Sequence, residues 1–245
     1  MSKNKLRKFA EMETFPNVFQ CGIRDAEAIS VIARRKGNWS PDLKPLVLEL
    51  GCGRGEYTVG LAEMFPEKHF IGIDIKGARM WAGAKQALEA NLSNAQFLRT
   101  QIELLPEFFA TDEVDEIWIT FPDPQMKKAT KRLTSSYFLT RYQQFLKDGG
   151  TIHLKTDSPF LYTYTSALVK ENNLPVLFQT DDLYHSDFQD EVRKLKTHYE
   201  KQWLERGMTI KYIAFHLPKA QTLIEPDIDI EPDTYRSYGR NQRAQ

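Results

Sequence analysis

Short apolar runs bounded by turn residues alternate with amphipathic segments along most of the 245-residue chain. Residues 46–50, Leu46-Val47-Leu48-Glu49-Leu50, have the length and character of a strand buried on both faces of a parallel sheet. Further strands are predicted over residues 69–74, 96–99, 114–121, 151–155, 176–178 and 208–216. Between them the spacing is helical. Residues 56–65 and the alanine-rich 76–90 predict helices, and residues 102–109 a short helix or turn. Residues 135–146 direct Tyr137, Phe138, Tyr142 and Phe145 inward, and Asp148-Gly149-Gly150 supplies a terminator tolerant of positive φ. Residues 159–171 begin on a proline, as first helical turns often do. Ahead of the first strand, residues 24–36 carry Ala26, Ile29, Ile32 and Ala33 on one helical face, and Trp39-Ser40-Pro41 links that helix to the strand. Residues 1–22 lack a clear period and are expected to form an arm.

The turn after the first strand narrows the chemistry. Gly51-Cys52-Gly53-Arg54-Gly55 joins that strand directly to a helix, the opening of a nucleotide-binding βαβ unit. A dinucleotide-binding turn would read Gly-x-Gly-x-x-Gly and aim a helix N-terminus at a pyrophosphate. Here the spacing is Gly-x-Gly-x-Gly, with Glu49 two residues before the first glycine. A carboxylate there repels a pyrophosphate but suits an ammonium group, which disfavours a nicotinamide cofactor. S-adenosylmethionine carries an α-ammonium and a sulfonium and no phosphate. A lone glycine turn can equally do no more than end a strand. The second predicted strand weighs against that reading, because it ends on Asp74, about where a ribose-binding carboxylate is expected. Together these features predict an α/β, Rossmann-like class I methyltransferase with a seven-stranded, mostly parallel sheet and helices on both faces. The order expected for that fold is 3-2-1-4-5-7-6 with the last strand antiparallel. The expected divisions are residues 1–40 as basic arm and helix, 41–218 as methyltransferase domain and 219–245 as tail.

Composition changes this picture in two respects. No apolar run approaches a membrane span, and the basic N-terminus is not followed by a signal-peptide core, so a cytoplasmic protein is expected. The two cysteines, Cys21 and Cys52, and the scattered histidines lack metal-ligand spacing, so no metal is expected. Thirty-three basic residues balance 33 acidic ones, and a zero net charge at first argues against nucleic acid. The distribution is uneven, however. Basic clusters stand at Lys3, Lys5, Arg7 and Lys8, at Arg34-Arg35-Lys36, and at Lys127, Lys128, Lys131 and Arg132, while Glu225, Asp227, Asp229, Glu231 and Asp233 gather near the C-terminus. A neutral total can hide a positive face.

In open α/β sheets ligands lie beyond the carboxyl ends of the strands. After the fourth predicted strand comes Phe121-Pro122-Asp123-Pro124-Gln125-Met126-Lys127-Lys128, in which two prolines stiffen the backbone around Asp123. Asp157 follows the fifth strand, ahead of Ser158-Pro159, where a helix cap is the ordinary reading. Thr197-His198-Tyr199-Glu200 reads as a capping box, Thr197 with Glu200, and a substrate role is compatible with it. The aromatic residues Trp81, Trp118 and Trp203 are expected in the core.

Phe121-Pro122-Asp123-Pro124 with its following lysines, Leu154-Lys155-Thr156-Asp157, and Thr197-His198-Tyr199-Glu200-Lys201 ahead of Gly207-Met208-Thr209-Ile210 occur in this order. In that combination the chain resembles the bacterial tRNA (guanine-N7)-methyltransferase family from about Gly51 to His216. The resemblance implies transfer of a methyl group from S-adenosylmethionine to N7 of a tRNA guanosine, nucleotide 46 of the variable loop. It implies cofactor contacts at Glu49, Gly51, Gly53, Asp74 and Asp123, with Asp123 also catalytic. Substrate contacts are implied at Lys127, Asp157, Thr197 and Glu200. The chain departs from the family pattern at three places. Gln101 stands where an acid is usual and can still accept from an adenine amino group. Gln125 replaces an aromatic residue. The basic stretch is short and lacks a histidine, leaving Lys131 and Arg132 to meet phosphate. A methyltransferase acting on a small molecule or protein, and an RNA-binding subunit with a vestigial cofactor site, are the competing readings. Whether the protein is a monomer or a homodimer is left open.

Overall fold

The computed structural model describes residues 3–188 and 194–235. Its elements run α1 (Lys3–Glu13), β1 (Val18–Gln20), α2 (Ala26–Ala33), β2 (Leu46–Leu50), α3 (Glu56–Met64), β3 (His69–Asp74), α4 (Gly77–Glu89), β4 (Ala95–Arg99) and α5 (Leu105–Phe108). They continue through β5 (Val114–Thr120), α6 (Ser136–Tyr142), β6 (Leu146–Thr156), α7 (Pro159–Glu171), β7 (Val176–Thr180), α8 (His198–Glu205) and β8 (Lys211–Leu217).

The strands form one sheet of eight in the order β1-β4-β3-β2-β5-β6-β8-β7. The expected seven-strand order is present in β2 to β8, and β8 runs antiparallel to both of its neighbours. All the other pairings are parallel. Every residue of β2 is buried, as its aliphatic run requires of the central strand. Strand alternation divides the core in two. Leu46, Leu48, Leu50, Ile71, Ile73, Ile117 and Ile119 pack with α2, α5, α6 and α7 on one face. Val47, Phe70 and Trp118 pack with α1, α3, α4 and α8 on the other.

The N-terminal segment departs from expectation. Residues 1–22 were expected as an arm, yet their described part forms a helix and an edge strand that belong to the sheet's core. Strand β1 adds to β4 in parallel, pairing Val18 with Phe97 and Gln20 with Arg99. Helix α1 lies on α4: Met12 is fully buried with Met80 and Ala84, and Trp81 Nε1 donates to Glu11 Oε2 at 2.7 Å. Asn17 Nδ2 donates to Ala84 O at 3.1 Å. Leu6, Phe9, Ala10 and Met12 do recur at three- and four-residue spacing, a helical signal that the expectation of an arm overlooked, and contacts with α4 and β4 fix the segment in place.

A smaller correction concerns Asp148-Gly149-Gly150. It lies inside β6 rather than ending α6, where the register against β5 shifts between Val114 and Glu116. Gly149 adopts φ 69° there. Residues 1, 2 and 236–245, parts of the expected arm and tail, lie outside the described residues. No described helix is long and apolar enough to cross a membrane.

Truncating a fully buried methionine removes both its contacts and its transfer free energy. Met12→Ala should therefore lower the stability to urea unfolding by about 2–4 kcal/mol. An unpacked arm would leave the midpoint unchanged.

Candidate functional site

The carboxyl ends of β2, β3, β4, β5 and β6 share one edge of the sheet, and most of the expected site residues stand there. Gly51 and Gly53 turn the chain out of β2 with φ of 79° and 57°. For residues with a Cβ, this left-handed conformation costs roughly 1–2 kcal/mol. A Cβ built on Gly51 would meet nothing within 4 Å, so the space above the turn is open.

Glu49 lies beneath that turn, 3% exposed. Its Oε2 accepts from Thr58 N at 2.9 Å and Thr58 Oγ1 at 2.5 Å, and its Oε1 accepts from Thr120 Oγ1 at 2.6 Å. Burial raises its pKa from 4.5 to about 7, with the threonine hydrogen bonds opposing the rise and the charge of Asp74 adding to it. Asp74, at the end of β3, accepts from Gly53 N at 2.9 Å and from Lys76 N at 2.8 Å. Asp74 thus bonds the glycine turn itself, and Glu49 the helix that follows it. Beyond β4, the Oε1 atom of Gln101 is buried and has no hydrogen-bond partner among the described residues.

β5 lies on the other side of β2 and runs into the Pro-Asp-Pro loop. Phe121 and Gln125, on either side of it, both adopt positive φ, 49° and 48°. For residues of this size such backbone is strained, and strain of this kind gathers at functional sites. Asp123 is exposed and accepts only a 3.2 Å bond from Gln125 N among the described residues. Lys127 and Lys128 are exposed as well. Arg132 is not, which corrects its expected role at phosphate. It is 8% exposed, its guanidinium lies 4.8 Å from the Phe160 ring and 4.2 Å from the Tyr164 ring, and it donates to Gln125 O and Met126 O at 3.3 and 3.0 Å. Its function is to hold the loop. Lys131 pairs with Glu103 at 3.2 Å.

Asp157 ends up fully buried beyond β6, and its Oδ2 accepts from Tyr235 OH at 2.7 Å. The cap of α7 is instead its neighbour Ser158, whose side chain accepts from Leu161 N. Thr197 and Glu200 form the expected capping box of α8. His198 N donates to Glu56 Oε2 at 2.8 Å, which places the start of α8 beside the start of α3 and near the glycine turn. The Glu200 carboxylate is buried and pairs with Lys155 Nζ at 2.9 Å and with Tyr184 OH. Burial pushes the Lys155 ammonium below its usual range, and Glu200 pulls it back up. Sequence reasoning passed over this lysine. It stands in the Leu154-Lys155-Thr156-Asp157 motif but was given no role. Trp203 lies in the core as expected, against Tyr199 and Tyr235. Among the described residues, no group of histidine, cysteine, aspartate and glutamate side chains could hold a metal ion.

Residues 43–213 match the family described as "Putative methyltransferase". Over 248 aligned residues, all of this chain and 98% of the relative, the sequence is 57% identical to the tRNA (guanine-N(7)-)-methyltransferase of Bacteroides fragilis (strain YCH46). The chain belongs to this methyltransferase family. The protein of the same name from Porphyromonas gingivalis (strain ATCC BAA-308 / W83) is 60% identical over 96% of this chain and 98% of its own. Among solved structures, the 16S rRNA methyltransferase KamB superposes with a TM-score of 0.55, covering 78% of this chain and 93% of that one. At 15% identity that likeness speaks for the fold alone. It is the fold of class I methyltransferases, with one strand more than the seven expected.

For this family member the raised pKa of Glu49 has a sign that can be checked. Between pH 4.5 and about 7 the folded protein holds a proton on Glu49 that the unfolded chain has released. Stability therefore falls as pH rises through this window, by up to ~3 kcal/mol. Glu49→Gln should flatten that part of the stability–pH curve measured by denaturant unfolding. An unchanged slope would assign it to other groups.

Proposed function

We propose that the protein transfers the methyl group of S-adenosylmethionine to N7 of a guanosine in tRNA, at nucleotide 46 of the variable loop, with S-adenosylhomocysteine as the other product. One observation carries this reading. Asp74 at the tip of β3 bonds the positive-φ glycine turn that leaves β2, Glu49 is buried just before that turn, and the strained loop on the neighbouring strand holds an exposed aspartate at the same edge. The transferase unit is assigned to residues 41–218, with residues 1–40 contributing an edge strand and packed helices to its sheet and residues 219–245 following it.

The residues fit the cofactor. Gln101 Oε1 is a buried acceptor in need of a donor, and an adenine amino group is one. Asp74 uses two of its roughly four acceptor sites on Gly53 and Lys76, leaving capacity for a ribose diol. Glu49 uses three on Thr58 and Thr120, which leaves about one for an ammonium N–H. The space above Gly51 is open for the ligand itself.

When bound, S-adenosylmethionine supplies an electrophilic methyl group, which guanine N7 accepts on its in-plane lone pair without a base, having no hydrogen to lose. What the chain contributes is orientation and charge. Asp123 is assigned to stabilise the positive charge that develops on the purine, or to accept from guanine N1–H and the exocyclic amine. Lys127 and Lys128 meet phosphate without reading sequence. A guanine within structured RNA must be presented from its stack, and the surface built over Asp157 and the segment from Thr197 to Glu200 is assigned to receive it, with the buried carboxylates of Asp157 and Glu200 behind that surface. Glu200 supports that segment from beneath through its bond with Lys155.

Incubation of labelled cofactor with tRNA, followed by nuclease digestion and search for N7-methylguanosine, tests the reaction. Absence of that nucleoside would overturn the reading. Asp123→Asn should lower turnover on the order of 100-fold with the circular dichroism spectrum unchanged. Near-normal turnover would remove Asp123 from the site. Lys127→Ala should weaken tRNA binding and reduce the slope of log affinity against log salt by about one. An unchanged slope would take Lys127 off the phosphate.

A further inference from the structure

The segment after β8 has no helix or strand through Asp233, yet its path is specified. It begins at the C-terminal ends of α6 and α7, where Gln143 Nε2 donates to Pro218 O at 2.7 Å and Asn172 exchanges hydrogen bonds with the backbone of Ile224. It then reaches the N-terminal end of α6 and the middle of α7. Glu225 accepts from Ser136 N at 2.8 Å and from Tyr164 OH at 2.5 Å. The segment therefore runs back along two helices and arrives at the sheet edge that carries the site.

There two residues add ties between three pieces that Arg132 and the Lys155–Glu200 pair also connect. Asp233, 7% exposed, accepts from Ser158 Oγ and from Phe160 N at 3.0 Å, on the first turn of α7 beside Asp157. Its own N–H donates to Met126 Sδ at 3.1 Å, one residue before Lys127 in the loop that carries Asp123. Tyr235 donates its hydroxyl to Asp157 at 2.7 Å, and its ring stands edge-on to Trp203 of α8 at 5.2 Å. The post-β5 loop, the β6–α7 joint and α8 are thus tied together by residues from the far end of the chain.

We propose that Asp233 and Tyr235 are positioning residues for methyl transfer, a clasp that holds the three substrate-facing segments in register. The inference rests on the reading of Lys127 and of the surface over Asp157 as substrate contacts. The strained loop around Asp123 persists only if its surroundings over-determine it. Arg132 supplies one such restraint and the backbone N–H of Asp233, donated to Met126, a second, which the Asp233 carboxylate anchors through Ser158 and Phe160. The hydroxyl of Tyr235 fixes the orientation of a carboxylate that has no exposed surface of its own. Glu49, Asp74 and Gln101, on β2, β3 and beyond β4, lie outside the clasp. Its loss should therefore spare cofactor binding.

The test compares full-length Tyr235→Phe, Asp233→Ala and Asp157→Asn in kcat, KM for tRNA, cofactor Kd by calorimetry and Tm. Tyr235→Phe removes one hydroxyl and keeps the ring against Trp203, so it addresses the proposal even if Asp233→Ala folds poorly. Both clasp variants should lower kcat on the order of 10- to 100-fold, the size expected of a small misplacement, with cofactor Kd unchanged. A merely structural role would instead lower Tm and cofactor affinity along with turnover, and that result overturns the proposal. Normal turnover in Tyr235→Phe and Asp233→Ala beside an impaired Asp157→Asn overturns the clasp alone. Normal turnover in all three overturns the substrate reading beneath it.

Discussion

A carboxylate taken out of water at the end of the central strand sets the geometry of everything around it. Burying a charge there is unfavourable unless donors surround it. Glu49 receives the backbone N–H and hydroxyl of Thr58, in the first turn of α3, and the hydroxyl of Thr120 at the end of β5. These bonds tie the central strand to the helix after it and to its neighbour in the sheet. The positive end of the α3 dipole lies on the same side and favours the negative charge. With β2, α3 and β5 held together in this way, the chain between β2 and α3 has only a tight left-handed turn available to it. Asp74 then secures that turn from β3.

The acids around this centre divide by environment. Glu200 is buried against Lys155, and Asp157 is buried under Tyr235. Both belong to the supporting frame as much as to any substrate surface. Replacing one partner of a buried pair strands the other charge, which makes such contacts strong constraints on geometry even where their net contribution to stability is small. Asp123 is different: exposed, on a stiff loop, and held by a single weak bond among the described residues. Of the basic residues next to it, Lys127 and Lys128 are exposed while Arg132 is buried and structural. The division explains how a chain with zero net charge can still present cations to a polyanion at one edge.

Much of the fold was legible before any coordinates. Local periodicity distinguishes a buried strand from an amphipathic helix, and strands β2 to β8 and the helices between them came out within a few residues of their places. The site's local chemistry was legible for the same reason. The glycine turn, the acids at the strand ends and the Pro-Asp-Pro loop are each written in a few consecutive residues. What failed was also physical. The helical spacing of Leu6, Phe9, Ala10 and Met12 in α1 was overlooked, and β1, three residues long, owes its structure to pairing with β4. Arg132 looked like any other member of a basic cluster until its stacking on Phe160 and Tyr164 was seen.

The amino-acid sequence alone determined the order of strands β2 to β8 and the helices between them, the place of the glycine turn and the identity of the carboxylates at the strand ends. Each of these depends on interactions within a few residues of chain. Tertiary structure alone decided which of those carboxylates are buried, which cations remain outside, and that the chain's far end closes over the site. Asp157 meets Tyr235 across 78 residues and Glu49 meets Thr120 across 71. Contacts at such separations leave no period in the sequence, because they form only after the sheet has brought their strands and loops to one edge.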